Sequence, residues 1–236
     1  KALRAILNRA NAEGVGSAAT YPFGRGGFEV SKLEEATAKR YLPAAELSKL
    51  KSTTASNPQC EYARKLFLFS YYCYGISFID MAMLTAAHIK QMEDGDYIVY
   101  KRQKIKRQKG VKPISIKITP AIRQLIGSLQ AASPTVDDLL LPIVTRSGYT
   151  GERLYMHIRT RYSKYQKYLR LLAEELGIDF HLTSYVSRHT AAMTLQRNNI
   201  PREVISQMLG HADLETTNIY LDSFDNRVIN EAAKVL

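Results

Sequence analysis

Along most of the chain, apolar residues recur at helical spacing, and at one place only does the pattern switch to alternation. Residues 1 to 13 set Leu3, Ile6, Leu7 and Ala10 on one helical face, and Gly14 and Gly16 end it. So short an amphipathic helix is marginal alone, so its stripe is expected to pack on segments outside this sequence. With Lys rather than Met at position 1, the chain reads as a fragment of a longer protein. From Ser17 to Arg40 the composition turns to Gly, Ser, Thr and Pro, an extended linker ending in Lys39-Arg40. The main domain is expected from Tyr41, with Pro43 opening its first helix.

Glu61 to Tyr74 (EYARKLFLFSYYCY) is apolar nearly all round, which predicts a core helix closed by Gly75. A second helix is expected over ISFIDMAMLTAAHI, residues 76 to 89, with Ser77 and Asp80 spaced as a capping box. The period then changes to two. YIVY (Tyr97 to Tyr100) and ISIKI (Ile114 to Ile118) have strand composition and flank a Gly-containing polar stretch, which predicts a β-hairpin. Thr119-Pro120 restarts helix as N-cap and first turn. Asp137 to Val144 reads as an apolar loop or short strand. A long helix is expected from His157 to Leu176, its stripe running through Ile158, Tyr162, Tyr165, Leu169, Leu172 and Leu176. Further helices are expected at Ser184 to Arg197, Pro201 to Leu209, Leu214 to Leu221 and from Asn226 onward. The resulting fold class is mainly α with a small antiparallel β-hairpin or sheet (α+β).

Charge changes this picture from a generic helical domain to one with a polyanionic partner. The 236-residue chain holds 33 Lys and Arg against 22 Asp and Glu, a net +11, which favours nucleic acid over a membrane surface. No apolar run approaches the roughly 18 residues of a membrane span, and residues 1 to 30 hold no signal-peptide core. Cys60 and Cys73, roughly 20 Å apart along one expected helix, cannot pair, which fits a reduced cytoplasmic compartment. The charge is concentrated. From Tyr97 to Arg123 there are nine Lys and Arg (Lys101, Arg102, Lys104, Lys106, Arg107, Lys109, Lys112, Lys117, Arg123) and no acid. Such a run is either a solvated hairpin or a source of salt-dependent phosphate affinity. A second basic stretch with interleaved tyrosines, Arg159 to Arg170, shifts the balance to nucleic acid.

Three short stretches carry candidate chemistry. In TSYVSRHTAAM (Thr183 to Met193), Tyr185 and Arg188 share a helix face, while His189 is turned about 100° from Arg188. Arg188 suits a bidentate phosphate clamp or, taken alone, an ordinary surface salt bridge. His189 among small neighbours reads as a structural histidine. In LGHADLETTNIYLD (Leu209 to Asp222), Tyr220 taken alone is a packing residue at a helix end.

Together, Arg188, His211 twenty-three positions on and Tyr220 nine further form a pattern that resembles the tyrosine recombinase (phage integrase) family, as found in conjugative and other mobile elements. The family's His-x-x-Arg-His-Thr box matches Tyr185 to Thr190. Its Leu-Gly-His box matches Leu209 to His211. Its Thr-Gly-x-Arg-x-x-Glu box lies on Tyr74-Gly75-Ile76-Ser77-Phe78-Ile79-Asp80. The resemblance spans residues 41 to 236 as catalytic domain, with residues 1 to 40 as the end of a core-binding domain plus linker. It implies that Tyr220 attacks a scissile phosphodiester to give a 3′-phosphotyrosine and a free 5′-hydroxyl. Arg188 would then hold the phosphate, His211 would hydrogen-bond it or assist proton transfer, and a hairpin lysine, taken as Lys104 with Lys101 and Lys106 as rivals, would protonate the leaving oxygen. No metal, ATP or other cofactor is required. Double-stranded DNA is the implied substrate, gripped by Lys101, Arg102, Lys106, Arg107, Lys109, Lys39 and Arg40. The segment Phe224 to Leu236 would join protomers into a homotetramer, nucleoid-associated when bound.

Two positions depart from the family. Ser77 stands where the first-box arginine belongs, and Tyr185 where the second-box histidine belongs. A lost electrostatic donor in such a site costs about 10²- to 10³-fold in rate. Ser77 is read either as a helix N-cap or as a hydroxyl at an anion-favouring helix start, and Tyr185 as a hydroxyl donor. Arg102 and Arg64 are the candidates to restore the missing charge. The alternative function is a catalytically impaired DNA-binding protein on a recombinase scaffold.

Overall fold

The computed structural model describes residues 2–24, 27–29 and 41–211, and the chain divides into two compact units, Lys1–Ala38 and Lys39–Leu236. Lys39, Arg40, Tyr220, the two helices expected beyond Ala212 and the segment Phe224 to Leu236 lie outside the described residues. In the first unit, α1 (Ala2–Ala12) has no buried residue, and its Leu3 and Ile6 are exposed. Tyr21 donates to the Asn8 amide oxygen and stacks edge-on with Phe23, which meets Phe28 in the same way.

The second unit is built around α3 (Pro58–Tyr72), which packs against α2 (Ala44–Ser52), α5 (Pro120–Ala132), α6 (Gly151–Glu175) and α7 (Ser184–Arg197). Its sequence is apolar on all sides because it has neighbours on all sides, and Leu66, Phe67 and Phe69 are fully buried. The helix starts three residues earlier than its apolar run. Asn57 accepts from the backbone N–H groups of Gln59 and Cys60 at 2.8 and 3.4 Å, with Pro58 in the first turn. Thr119 caps α5 in the same fashion, accepting from Ile122 N at 3.4 Å. The long helix α6 starts six residues before the expected His157, and α8 (Arg202–Leu209) closes the described chain.

The helix expected over residues 76 to 89 is not continuous. α4 covers only Phe78–Ala82. A 3₁₀ turn at Ala86–His88 and a strand, β1 (Ile89–Met92), take up the rest. The backbone groups that a longer helix would satisfy internally are claimed sideways. Leu84 C=O accepts from Leu140 N at 2.8 Å, Asp138 C=O from Ala86 N at 3.0 Å, and Thr85 bridges Leu139. The apolar stretch Asp137 to Val144 is the loop that provides these partners. β1 then pairs with β2 (Gly95–Tyr100), Ile89 opposite Ile98, so the expected hairpin supplies two strands of a three-stranded antiparallel sheet. β2 pairs with β3 (Ile114–Lys117), Ile98 opposite Ile116 and Tyr100 opposite Ile114. These four side chains are buried while Ser115 and Lys117 face outward, the period-two signal of the sequence.

Glu61 and Arg64 tie α2 to α3. Arg64 donates from Nε and Nη2 to the Glu61 carboxylate at 2.7 and 2.8 Å and from Nη1 to Leu50 C=O at 2.6 Å. Glu61 also accepts from Ala55 N at 3.0 Å. Burial pushes the Glu61 carboxyl up, but the hydrogen bonds from Arg64 and Ala55 and the charges of Arg64 and Lys65 outweigh it, so its pKa lies below the ordinary value. A lowered folded-state pKa adds stability above the unfolded value, and that stability is lost as pH falls through the folded one. Glu61→Gln should therefore cost about 2 kcal/mol in urea unfolding at pH 7, the gap to wild type closing only below the ordinary carboxylate range.

Candidate active site

α7 delivers the basic centre of the site. Its N-terminus is held by α6: Ser184 N donates to Gln166 Oε1 at 2.8 Å, and the Ser184 and Tyr162 hydroxyls lie 3.0 Å apart. Farther along, Ser187 meets Ser70 of α3 at 2.8 Å. Thr190 Oγ1 accepts from Leu42 N at 3.0 Å, and Arg197 Nη2 donates to the Tyr41 hydroxyl at 3.1 Å with its guanidinium over that ring. The helix is thus embedded on several sides, which is why Arg188 is 5% exposed rather than a surface residue.

Among the described residues, Arg188 reaches three acceptors, one before α7 and two after it. Nη1 donates to Gly75 C=O at 3.1 Å; Nη2 donates to Leu209 C=O at 2.6 Å and to His211 Nε2 at 2.8 Å. A guanidinium only donates, so in this arrangement His211 Nε2 carries the lone pair and its proton sits on Nδ1. The turn that presents Gly75 has two successive residues with positive φ, Tyr74 at 57° and Gly75 at 72°. A Cβ on Gly75 would sit 2.4 Å from both Cα and Cβ of Arg188, so a glycine is required for conformation and for space alike. Gly210, at φ 64°, is similar: a Cβ there would meet Ile114 Cδ1 at 2.3 Å.

The Ser77 hydroxyl is engaged within its own helix start. It accepts from Asp80 N at 3.2 Å and donates to Asp80 Oδ2 at 2.6 Å. This is half of the expected capping box. The Asp80 carboxylate turns instead toward the β2–β3 loop, where Oδ1 accepts from Gln103 N at 2.7 Å. That bond fixes the backbone next to Arg102. Arg102 Nη1 donates to Gly210 C=O at 3.3 Å, one residue from His211. Arg102, Ser77, Tyr185 and Arg188 line one cleft of about 470 Å³, together with Gly75, Ile76, Phe78 and Ile79 and the α6 residues Tyr155, Ile158, Arg159 and Tyr162. Arg64, the other candidate to replace the first-box charge, is spent on Glu61 and Leu50 and is not among the lining residues. Tyr100, buried at the end of β2, has its hydroxyl pKa pushed up by burial and by Asp80, with Arg188 and Arg102 opposing.

Tyr185 is 54% exposed at the cleft edge, its ring edge-on to that of His189 one turn later. Lys104 is exposed and does not line this cleft. Lys109 and Lys112 border a separate recess that contains Gly210 and His211. Lys101, Lys106 and Arg107 line a third with His88 and Tyr100. Two of the nine cations of the basic stretch are neutralised locally, Lys117 by Asp94 at 2.8 Å and Arg123 by Asp96 at 2.7 Å. The concentrated charge is therefore the loop 101 to 112. Among the described residues, no three His, Cys, Asp or Glu side chains are grouped so as to share a metal ion, and no helix is long and apolar enough to cross a membrane. Tyr155 escapes a sequence reading that starts α6 at His157. Its spacing of three from Ile158 and the Thr150-Gly151-Glu152 start are the signals that extend the helix.

The chain belongs to the phage integrase family, whose model matches residues 40–227. It is 43% identical over 54 residues to the tyrosine recombinase XerD of Halalkalibacterium halodurans, covering 23% of this chain and 18% of that protein. Over 114 residues it is 31% identical to the tyrosine recombinase XerC of Rhodospirillum centenum, covering 48% of this chain and 31% of that protein. The matched stretches thus span less than a third of either relative. Among solved structures, the Tn1549 transposon integrase in complex with a circular intermediate DNA aligns over 99% of this chain and 77% of its own, with a TM-score of 0.62 and 14% identity. XerH site-specific recombinase bound to difH substrate aligns over 98% and 61%, with a TM-score of 0.61 and 18% identity. At these identities the likeness is one of fold, a tyrosine recombinase catalytic domain.

Gly75→Ala should unfold at lower urea, by at least about 2 kcal/mol, because the backbone conformation and the Arg188 contact are lost together. A thermal or urea midpoint equal to wild type would contradict the required approach of α7 to this turn.

Proposed function

We propose that the protein is a site-specific DNA recombinase that cleaves and rejoins strands through a 3′-phosphotyrosine formed on Tyr220. The observation that carries this reading is the convergence on buried Arg188 of Gly75, Leu209 and His211, one residue from the first family box and two from the Leu-Gly-His box. The DNA-bound relatives of this fold support the substrate class. The exposed cations at Lys101, Lys104, Lys106, Arg107, Lys109 and Lys112 supply salt-dependent backbone affinity, extended by Lys39 and Arg40.

In this mechanism the Tyr220 hydroxyl gives up its proton, with His211 assisting the transfer, as its oxygen attacks phosphorus; the bond to the 5′-oxygen breaks, and a loop lysine gives that oxygen a proton. Lys104 is the assigned donor, with Lys101 and Lys106 as alternatives; it must approach the phosphate when DNA is bound. Arg188 and Arg102 stabilise the charge on the non-bridging oxygens, Arg102 taking the part of the first-box arginine that Ser77 lacks. His211 hydrogen-bonds the phosphate, and Tyr185 offers its hydroxyl. Bond energy is conserved in the phosphotyrosine, and attack by the 5′-hydroxyl of a partner strand reverses the step. Residues 1–40 act as the end of a core-binding domain with its linker, and Phe224 to Leu236 joins protomers into a tetramer.

A nicked suicide substrate that traps the covalent intermediate is the test. Wild type should yield a denaturation-resistant protein–DNA adduct and Tyr220→Phe none; absence of any wild-type adduct, with DNA still bound, would leave the impaired DNA-binding protein as the function. Arg102→Ala should slow adduct formation about 10²- to 10³-fold and Arg102→Lys less, whereas Arg64→Ala should act on stability alone. A wild-type rate in Arg102→Ala would remove Arg102 from the site.

A further inference from the structure

The cleft that holds Arg188 and Arg102 is larger and more aromatic than a phosphate needs. Its volume of about 470 Å³ falls within the range of roughly 300–1,000 Å³ typical of sites that take whole organic ligands. One wall is a single stripe of α6, Tyr155, Ile158, Arg159 and Tyr162, spaced three, one and three, so that all four face the same way. Phe78 and Ile79 at the start of α4 and Tyr185 at the start of α7 line the same cleft, the Phe78 ring edge-on to that of Tyr162. Tyr155 is 59% exposed and Tyr162 38% exposed, although each ring has an apolar body suited to burial. Among the described residues, the charged ones lining the cleft are Arg102, Arg159 and Arg188, and no carboxylate lines it.

Cations beside partly exposed tyrosines, in a recess larger than an ion requires, suit a ligand that is both anionic and flat. Resting on the proposed recombinase activity, we infer that this cleft receives one unstacked nucleotide of the DNA strand, adjoining the phosphate held by Arg188 and Arg102. Its base lies against Tyr155 and Tyr162, with Ile79 and Phe78 beneath. A paired base in a duplex cannot enter a recess of this kind, so occupancy requires the base to leave its stack. Strand exchange demands such a departure, because the broken end must separate from its complement before it can attack the partner's phosphotyrosine. Stacking on an aromatic side chain does not discriminate among bases, so the subsite serves any sequence at this position.

The chain contains no tryptophan, so Tyr155→Trp installs a single fluorescent reporter in the cleft while keeping an aromatic face. The probes are a twelve-residue oligothymidylate, a strand of the same length made of abasic deoxyribose phosphate, and a random-sequence duplex. Oligothymidylate should quench the indole emission of Tyr155→Trp, and the abasic strand should bind about tenfold more weakly without quenching. Tyr162→Ala should weaken oligothymidylate about tenfold in fluorescence anisotropy. Equal quenching by the abasic strand would overturn the inference, as would unchanged oligothymidylate affinity in Tyr162→Ala. Emission already shifted to the blue without DNA and insensitive to oligothymidylate would mean that protein covers the cleft, and would overturn it too. If the duplex binds while the reporter is silent to every strand, the nucleotide subsite fails alone. If neither DNA binds, the recombinase reading fails with it. Should Tyr155→Trp lose its circular dichroism signal, Tyr162→Trp carries the same measurement.

Discussion

Everything at the candidate active site depends on the burial of one guanidinium. Arg188 lies inside α7, where a charge is costly to desolvate, and the cost is met by directing its donors at backbone carbonyls and an imidazole. That requirement dictates the surrounding backbone. The turn after α3 must bring a carbonyl within reach, which forces the Tyr74–Gly75 pair into left-handed conformation and excludes any side chain at Gly75. The end of α8 must expose Leu209 C=O and then reverse, which places Gly210 against Ile114 and His211 beside the guanidinium. A cation with fixed partners does not need to reorganise when an anion arrives.

The same logic connects Ser77 to Arg102 without either touching the other. Asp80 takes the Ser77 hydroxyl on one oxygen and the Gln103 amide on the other, so the start of α4 and the root of the basic loop share one carboxylate. A long side chain at position 77 would compete for the volume of the cleft. With serine there, the space is open and Arg102 borders it. Ser77 is thus a capping residue in the structure, and Arg102, just beyond the end of β2, brings a charge to the cleft that Ser77 does not.

Features encoded over short distances were legible in the sequence. The caps at Thr119 and Pro120, the closing Gly75, the alternating strands and the extent of α7 each depend on residues within a few positions of one another. β1 was not legible, because its strand character comes from pairing with β2 and from the loop at Leu139, and IKQM carries no alternation of its own. The resemblance named Ser77, Tyr185 and Arg188, which the structure brings to one cleft, but spacing could not say which of Arg102 and Arg64 borders it. Arg64 is nearer in sequence to Ser77, yet its charge is consumed by Glu61 on its own helix. Nor does linear spacing rank the loop lysines against one another, since the exposed cations from Lys101 to Lys112 occupy one turn-rich segment with several recesses along it.

The tether between Leu42 and Thr190 spans 148 positions, that between Gly75 and Arg188 spans 113, and that between Arg102 and Gly210 spans 108. Contacts of such range close large loops and form late in folding. Because Arg188 draws partners from both before and after it, a nascent chain emerging from the ribosome holds the first half of the site without the second. Among the described residues, its guanidinium gains the last of its acceptors only once His211 has been made.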